Sequence, residues 1–192
     1  MIFGGRQGSW IAVTREAIFL CGVFLCATSP ASADERSLSL VNAFQEACVA
    51  EPPFFARISA KAAAANLPVN LDSGTPRQPE GPFNHLKSWI AHLPTGDYEL
   101  SATEARGSAG EVMACAITAA DAQGEAVKQD LMQVLGLGPA EREMISPDGQ
   151  RRSSGWYLNV HSERMILLLI DGSPGKGPGI YINVTHRLQP GS

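Results

Sequence analysis

Cys48 and Cys115 narrow the folds open to this chain more than any compositional figure, because a bond between them ties an N-terminal helix to a mid-chain strand. The other two cysteines, Cys21 and Cys26, fall in residues 1–33, which read as a cleaved export signal. Arg6 and Arg15 give that segment its basic start, "AIFLCGVFLCA" (17–27) its apolar core, and Ala31-Ser32-Ala33 its small-residue cleavage site after Pro30. The apolar core is well short of the roughly 20 residues a spanning helix needs, so no membrane span is expected after cleavage. Leu20 and Leu25 precede the signal cysteines where a lipoprotein signal carries a small residue. In an oxidising compartment Cys48 and Cys115 then have one way to bond, and the closed loop adds roughly 4 kcal/mol of chain-entropy stabilisation at most. Two unlinked buried thiols are the alternative. A redox pair is disfavoured, since no Cys-x-x-Cys is present.

Residues 34–192 are long enough for a single domain with its own core. Without the signal, thirteen basic and eighteen acidic side chains leave a net charge of −5. That mild acidity argues against nucleic acid and anionic membrane as partners, because both reward clustered lysine and arginine.

Hydrophobic periodicity divides the chain into elements. "SLSLVNAFQEACVA" (37–50) spaces Leu40, Val41, Phe44 and Cys48 as one face of a helix, and "PFFARISAKAAAAN" (53–66) predicts a second with proline at its start. The proline- and glycine-rich 70–82 reads as a loop able to contact a partner. "FNHLKSWIAHL" (83–93) spaces Phe83, Leu86, Trp89 or Ile90, and Leu93 as a third helix stopped by Pro94 and Gly96. On that helix His85 and His92 share a side about 10 Å apart, too far for one metal ion. Alternation from Tyr98 to Ala102 and again through Met113, Cys115 and Ile117 predicts a hairpin. A helix over 123–139 follows, then a polar stretch (141–155), then three strands: "WYLNVHS", "RMILLLID" and "GIYINVTHR". The second of these is apolar on both faces and is expected to be central. The fold class expected is therefore α+β: a predominantly antiparallel five-stranded sheet, built as hairpin, helix and three-stranded meander, with helices packed on one face. No internal repeat is evident.

The motifs exclude more chemistry than they suggest. "GSPGKGPG" (172–179) has the wrong spacing for a phosphate loop, lacks the hydroxyl after the lysine, and runs into a strand rather than a helix. It reads as a hairpin turn with Lys176 as a solubilising charge at its tip. No GxSxG or HExxH occurs, His161 and His186 read as turn and strand-end residues, and Glu141 and Glu143 read as solvated charge. Neither a cofactor nor a metal is expected. "NVT" (183–185) matches a glycan sequon but lies within a strand. The polar stripe Tyr181, Asn183 and Thr185 on the last strand is the candidate partner surface, together with the 70–82 loop.

The "FxxxC" helix (Phe44 to Cys48) and the cysteine in "EVMACAI" (Cys115) resemble a group of small secreted bacterial proteins of uncharacterised activity. The resemblance implies a periplasmic or secreted disulfide-bonded domain and carries no activity. The expected function is non-enzymatic binding of a protein or cell-envelope component. The competing expectation is a small periplasmic hydrolase or enzyme inhibitor whose site joins residues distant in sequence.

Overall fold

The structure, a computed structural model, describes residues 33–108, 110–172 and 179–188. The expected export signal up to residue 32 and the expected loop tip with Lys176 lie outside them. In chain order the elements are α1 (Ala33–Phe44), prolonged by a π-helical turn (Gln45–Val49), and α2 (Phe55–Ala64). Strands β1 (Val69–Thr75), β2 (Phe83–Leu93), β3 (Gly96–Gly107) and β4 (Gly110–Ala119) follow. After α3 (Gly124–Val134) come β5 (Arg142–Ile145), β6 (Arg151–Val160), β7 (Glu163–Gly172) and β8 (Ile180–Leu188).

The strands form one antiparallel sheet in the order β1-β2-β3-β4-β8-β7-β6-β5. The first half is two helices and the second a single helix, each followed by a four-strand meander, and the halves join through their last strands, β4 and β8. This shared plan leaves no trace as a sequence repeat. Alternation places Leu100, Ala102, Cys115, Ile117, Ile182, Val184, Leu167 and Leu169 on one face, where α1, α2 and α3 cover them. Leu40, Val41 and Phe44 of α1, Ile58 of α2, and Val127 and Leu131 of α3 are the helical half of that core, each fully buried.

The disulfide expected from the sequence is present: Cys48 of the π turn bonds Cys115 of β4, with Cα atoms 5.4 Å apart and both residues fully buried. Arg36 is a second tie. Its guanidinium, 6 % exposed, donates to Gly96 O at 2.8 Å and pairs with Asp121 at 2.8 Å, fastening α1 to the β2–β3 turn and to the end of β4. Helix ends follow backbone chemistry. At the end of α3, Gly136 adopts φ 63°, and Leu137 N donates to Met132 O while Gly136 N donates to Gln133 O, the paired closure that a left-handed residue permits. Asn66 does the same for α2 at φ 54°.

Three expectations are corrected. Residues 83–93 form a strand, not a helix, and pair along their whole length with β3 through a turn at Pro94-Thr95. The supposed helix stop is thus a hairpin turn. His85 and His92, an odd number of residues apart on a strand, point to opposite faces. The 70–82 segment contains most of strand β1, and the polar 141–155 stretch contains β5 and the start of β6; with β2, these raise the strand count from five to eight. Both missed strands lie at the edges and expose every side chain, so neither leaves a hydrophobic signature. Finally, the doubly apolar β7 is an interior strand covered on one face only: Met165, Leu167 and Leu169 are buried, while Ile166 is 50 % exposed.

Edge strand β1 yields the first test. Gly74 has φ 102°, and a Cβ built there would stand 2.1 Å from Asn84 O of β2. Gly74→Val should therefore peel β1 from β2 and cost about 1–2 kcal/mol, since the lost strand buries no side chain. Hydrogen exchange should show faster amides along β2 with the β4–β8 centre unchanged; protection retained along β2 would contradict this.

Candidate functional site

The face of the sheet opposite the helices is where the candidate residues meet. Tyr181, Asn183 and Thr185 point outward from β8, because Ile180, Ile182 and Val184 take the inward positions. Thr185 Oγ1 donates to Asn183 Oδ1 at 2.7 Å, and Asn183 Nδ2 donates to Cys115 O at 3.4 Å. Partial burial pushes the Tyr181 phenol above the ordinary tyrosine range, while the Asn183 side chain pulls the other way. These three groups form a hydrogen-bonded stripe near the middle of the sheet, as β8 is flanked by β4 and β7.

Cross-strand register extends the stripe. Asn183 stands beside Ala116 and Leu168, and Thr185 beside Ala114 and Ile166. Farther out, Ile166 faces Tyr157 of β6, and Met144 of β5 lies beside Ser153. Met144, Tyr157 and Ile166 are 63 %, 38 % and 50 % exposed. The Arg164 guanidinium lies 4.0 Å above the Tyr157 ring. At one end of this face Thr118, Arg151, Ile170, Gly172 and Tyr181 line a shallow cavity of about 210 Å³. The sequence placed the polar stripe correctly on β8. It missed the apolar residues around it, although the outward set of the doubly apolar "RMILLLID" was their signal.

A second concentration of chemistry lies at the β1–β3 edge of the helix-covered face. Asp72 is held below the usual carboxylate range first by the Lys87 ammonium and then by His85. His85 Nε2 lies 2.7 Å from Asp72 Oδ1, its Nδ1 lies 3.8 Å from Glu104, and its ring stacks on Phe55 at 4.4 Å. Arg77 and Arg106 flank the Phe83 ring and both bind Glu111. Each cation here is matched by a carboxylate, and both ring nitrogens of His85 already face one. That leaves no free base. The set lies at the rim of the core, where Arg77 and Arg106 also line a cavity with Gln78 and Pro79.

Each of the other histidines has one ring nitrogen engaged, and Nδ1 of His186 is buried without a hydrogen-bond partner among the described residues. His92 pairs with Asp97 at 2.6 Å in the open, and His161 sits in the β6–β7 turn with Nε2 3.3 Å from Ala50 O. His186, 2 % exposed, is a core residue rather than a solvated strand end: its Nε2 meets Glu163 at 3.1 Å and Phe54 packs edge-on against the ring. Among the described residues no three His, Cys, Asp or Glu side chains converge to hold a metal ion.

No family model, curated protein or solved structure matches this chain. What it can do chemically therefore rests on its own geometry.

Proposed function

We propose that this chain is an exported, disulfide-bonded binding module that engages a protein or cell-envelope component through the open face of its sheet. The observation that carries the reading is the cross-strand pair Tyr157 and Ile166, exposed on the face without helices beside Thr185, with Met144 exposed farther along the same face. Aromatic and large apolar side chains left on one surface are the composition of a contact patch. The disulfide fits an oxidising compartment, and the resemblance to small secreted bacterial proteins points the same way. An enzyme reading asks for a cleft where a histidine meets a serine or carboxylate. The cavity beside Tyr181 and the one at Arg77, Gln78, Pro79 and Arg106 both lack a histidine in their walls.

The test is site-specific photo-cross-linking in the native envelope. A photoreactive residue in place of Ile166 or Thr185 should capture a defined species, whereas one in place of Ala60, exposed on α2, should not. Equal capture from both sides of the molecule, or none from the open face, would remove the proposal.

A further inference from the structure

The arginines of this protein divide by face. Arg36, Arg57, Arg77, Arg106 and Arg152 each pair with a carboxylate: Asp121, Glu51, Glu104 with Glu111, Glu111, and Glu125. The four other described arginines, Arg142, Arg151, Arg164 and Arg187, form no ion pair among the described residues, although Arg151 adds to the Ser146 and Gln150 hydrogen bonds that hold Asp148 below the usual carboxylate range. Register puts all four on the open face of β5–β8: Arg142 beside Gly155, Arg151 beside Gly172, Arg164 beside Asn159, and Arg187 beside Val112. No acidic side chain shares that half of the face. Glu143, Glu163 and Asp171 alternate to the helix side, and Asp97 and Glu99 lie on β3 in the other half. At the margin of that half, Glu141 accepts from Tyr157 N at 3.3 Å, and Asp148 is engaged in its own turn by Ser146 Oγ and Gln150 N.

We infer that the β5–β8 half of the open face takes an acidic polypeptide segment, its carboxylates on the four arginines and an apolar side chain between Tyr157 and Ile166. This rests on the open face being the contact surface. The planar guanidinium forks match carboxylates two bonds at a time, and arginine with tyrosine is the composition of an interface centre. The net charge of residues 34–192, −5, separates a peptide from a membrane. An extended anionic plane meets the repulsion of the whole molecule, whereas a short acidic segment lies within the roughly 10 Å over which the four arginines are felt at moderate salt.

The probe is a short synthetic peptide alternating glutamate with leucine, compared with its glutamine counterpart, titrated into the disulfide-bonded protein and followed by amide chemical shifts. Shifts should be confined to β5, β6, β7 and β8, and the glutamate peptide should bind at least about tenfold more tightly than the glutamine one, weakening as salt rises. Joint replacement of Arg142, Arg151, Arg164 and Arg187 by glutamine should abolish that preference, with near-ultraviolet circular dichroism reporting the fold. Arg164→Glu alone should reverse its direction locally and is the variant to use if the fourfold change disturbs folding. Equal binding of both peptides, shifts on the helix face, or tighter binding to phosphatidylglycerol vesicles than to the peptide each overturns the assignment. The two proposals fail separately: a partner cross-linked at Ile166 with a yield indifferent to the four glutamines keeps the contact face and removes its acidic ligand.

Discussion

Replacing both Cys48 and Cys115 by alanine should lower the unfolding free energy by about 2–4 kcal/mol. The bond joins the π turn to β4, so its loop spans α2, the first three strands and most of β4, and the unfolded chain gains that whole loop's freedom when the bond is absent. Both sulfurs are inaccessible in the folded state, so the loss includes a small packing term where two thiols filled the core beneath α1. Urea denaturation checks it. The midpoint should fall while the slope holds or rises, since an uncrosslinked unfolded chain exposes more surface. The same burial predicts that, without reductant, alkylation of the folded protein labels neither residue. Labelling of both in exported protein, or a double variant within about 1 kcal/mol of the parent, would remove the bond as a source of stability.

What could be read from sequence alone follows where the physics is local. Ile180, Ile182 and Val184 alternate with polar residues, are flanked by turn chemistry, and fold as the strand that their spacing implies. Phe44 and Cys48 lie one helical turn apart and face the sheet as expected. The misread element, β2, fails for a reason outside itself. Its inward positions are Phe83, His85, Lys87, Trp89, Ala91 and Leu93, and the polar pair in the middle breaks the alternation. Those side chains are tolerated there only because β1 brings Asp72 to Lys87 and His85, and β3 brings Glu104 to His85. A strand whose neighbours supply its counter-charges cannot announce itself by hydrophobicity. The candidate site has the same history. Tyr181, Asn183 and Thr185 were visible as one strand's outward set, whereas Arg142, Arg151, Arg164 and Arg187 become a group only once four strands are in register.

Phe44→Ala should cost about 3–5 kcal/mol. Phe44 is fully buried at the last turn of α1, in the same core as Cys48, Leu40, Ile58 and Cys115. Removing the ring takes away its transfer free energy and leaves a cavity that two anchored neighbours cannot close: Arg36 fixes the start of α1, and the disulfide fixes its end. Phe44→Leu should retain more than half of the stability, because most of the volume stays. Combining Phe44→Ala with loss of the disulfide separates two accounts of this helix. If the ring and the bond act independently, the costs add within about 0.5 kcal/mol. If the bond is what prevents collapse around the cavity, its removal lets α1 settle toward the sheet, and the combined loss falls short of the sum by more than about 1 kcal/mol. Geometry favours the second outcome, since Phe44 and Cys48 lie four residues apart on one helical face and share the same wall of β4. A strictly additive result would mean that the helix holds its place by packing alone, and that the cysteine pair acts only on the unfolded chain.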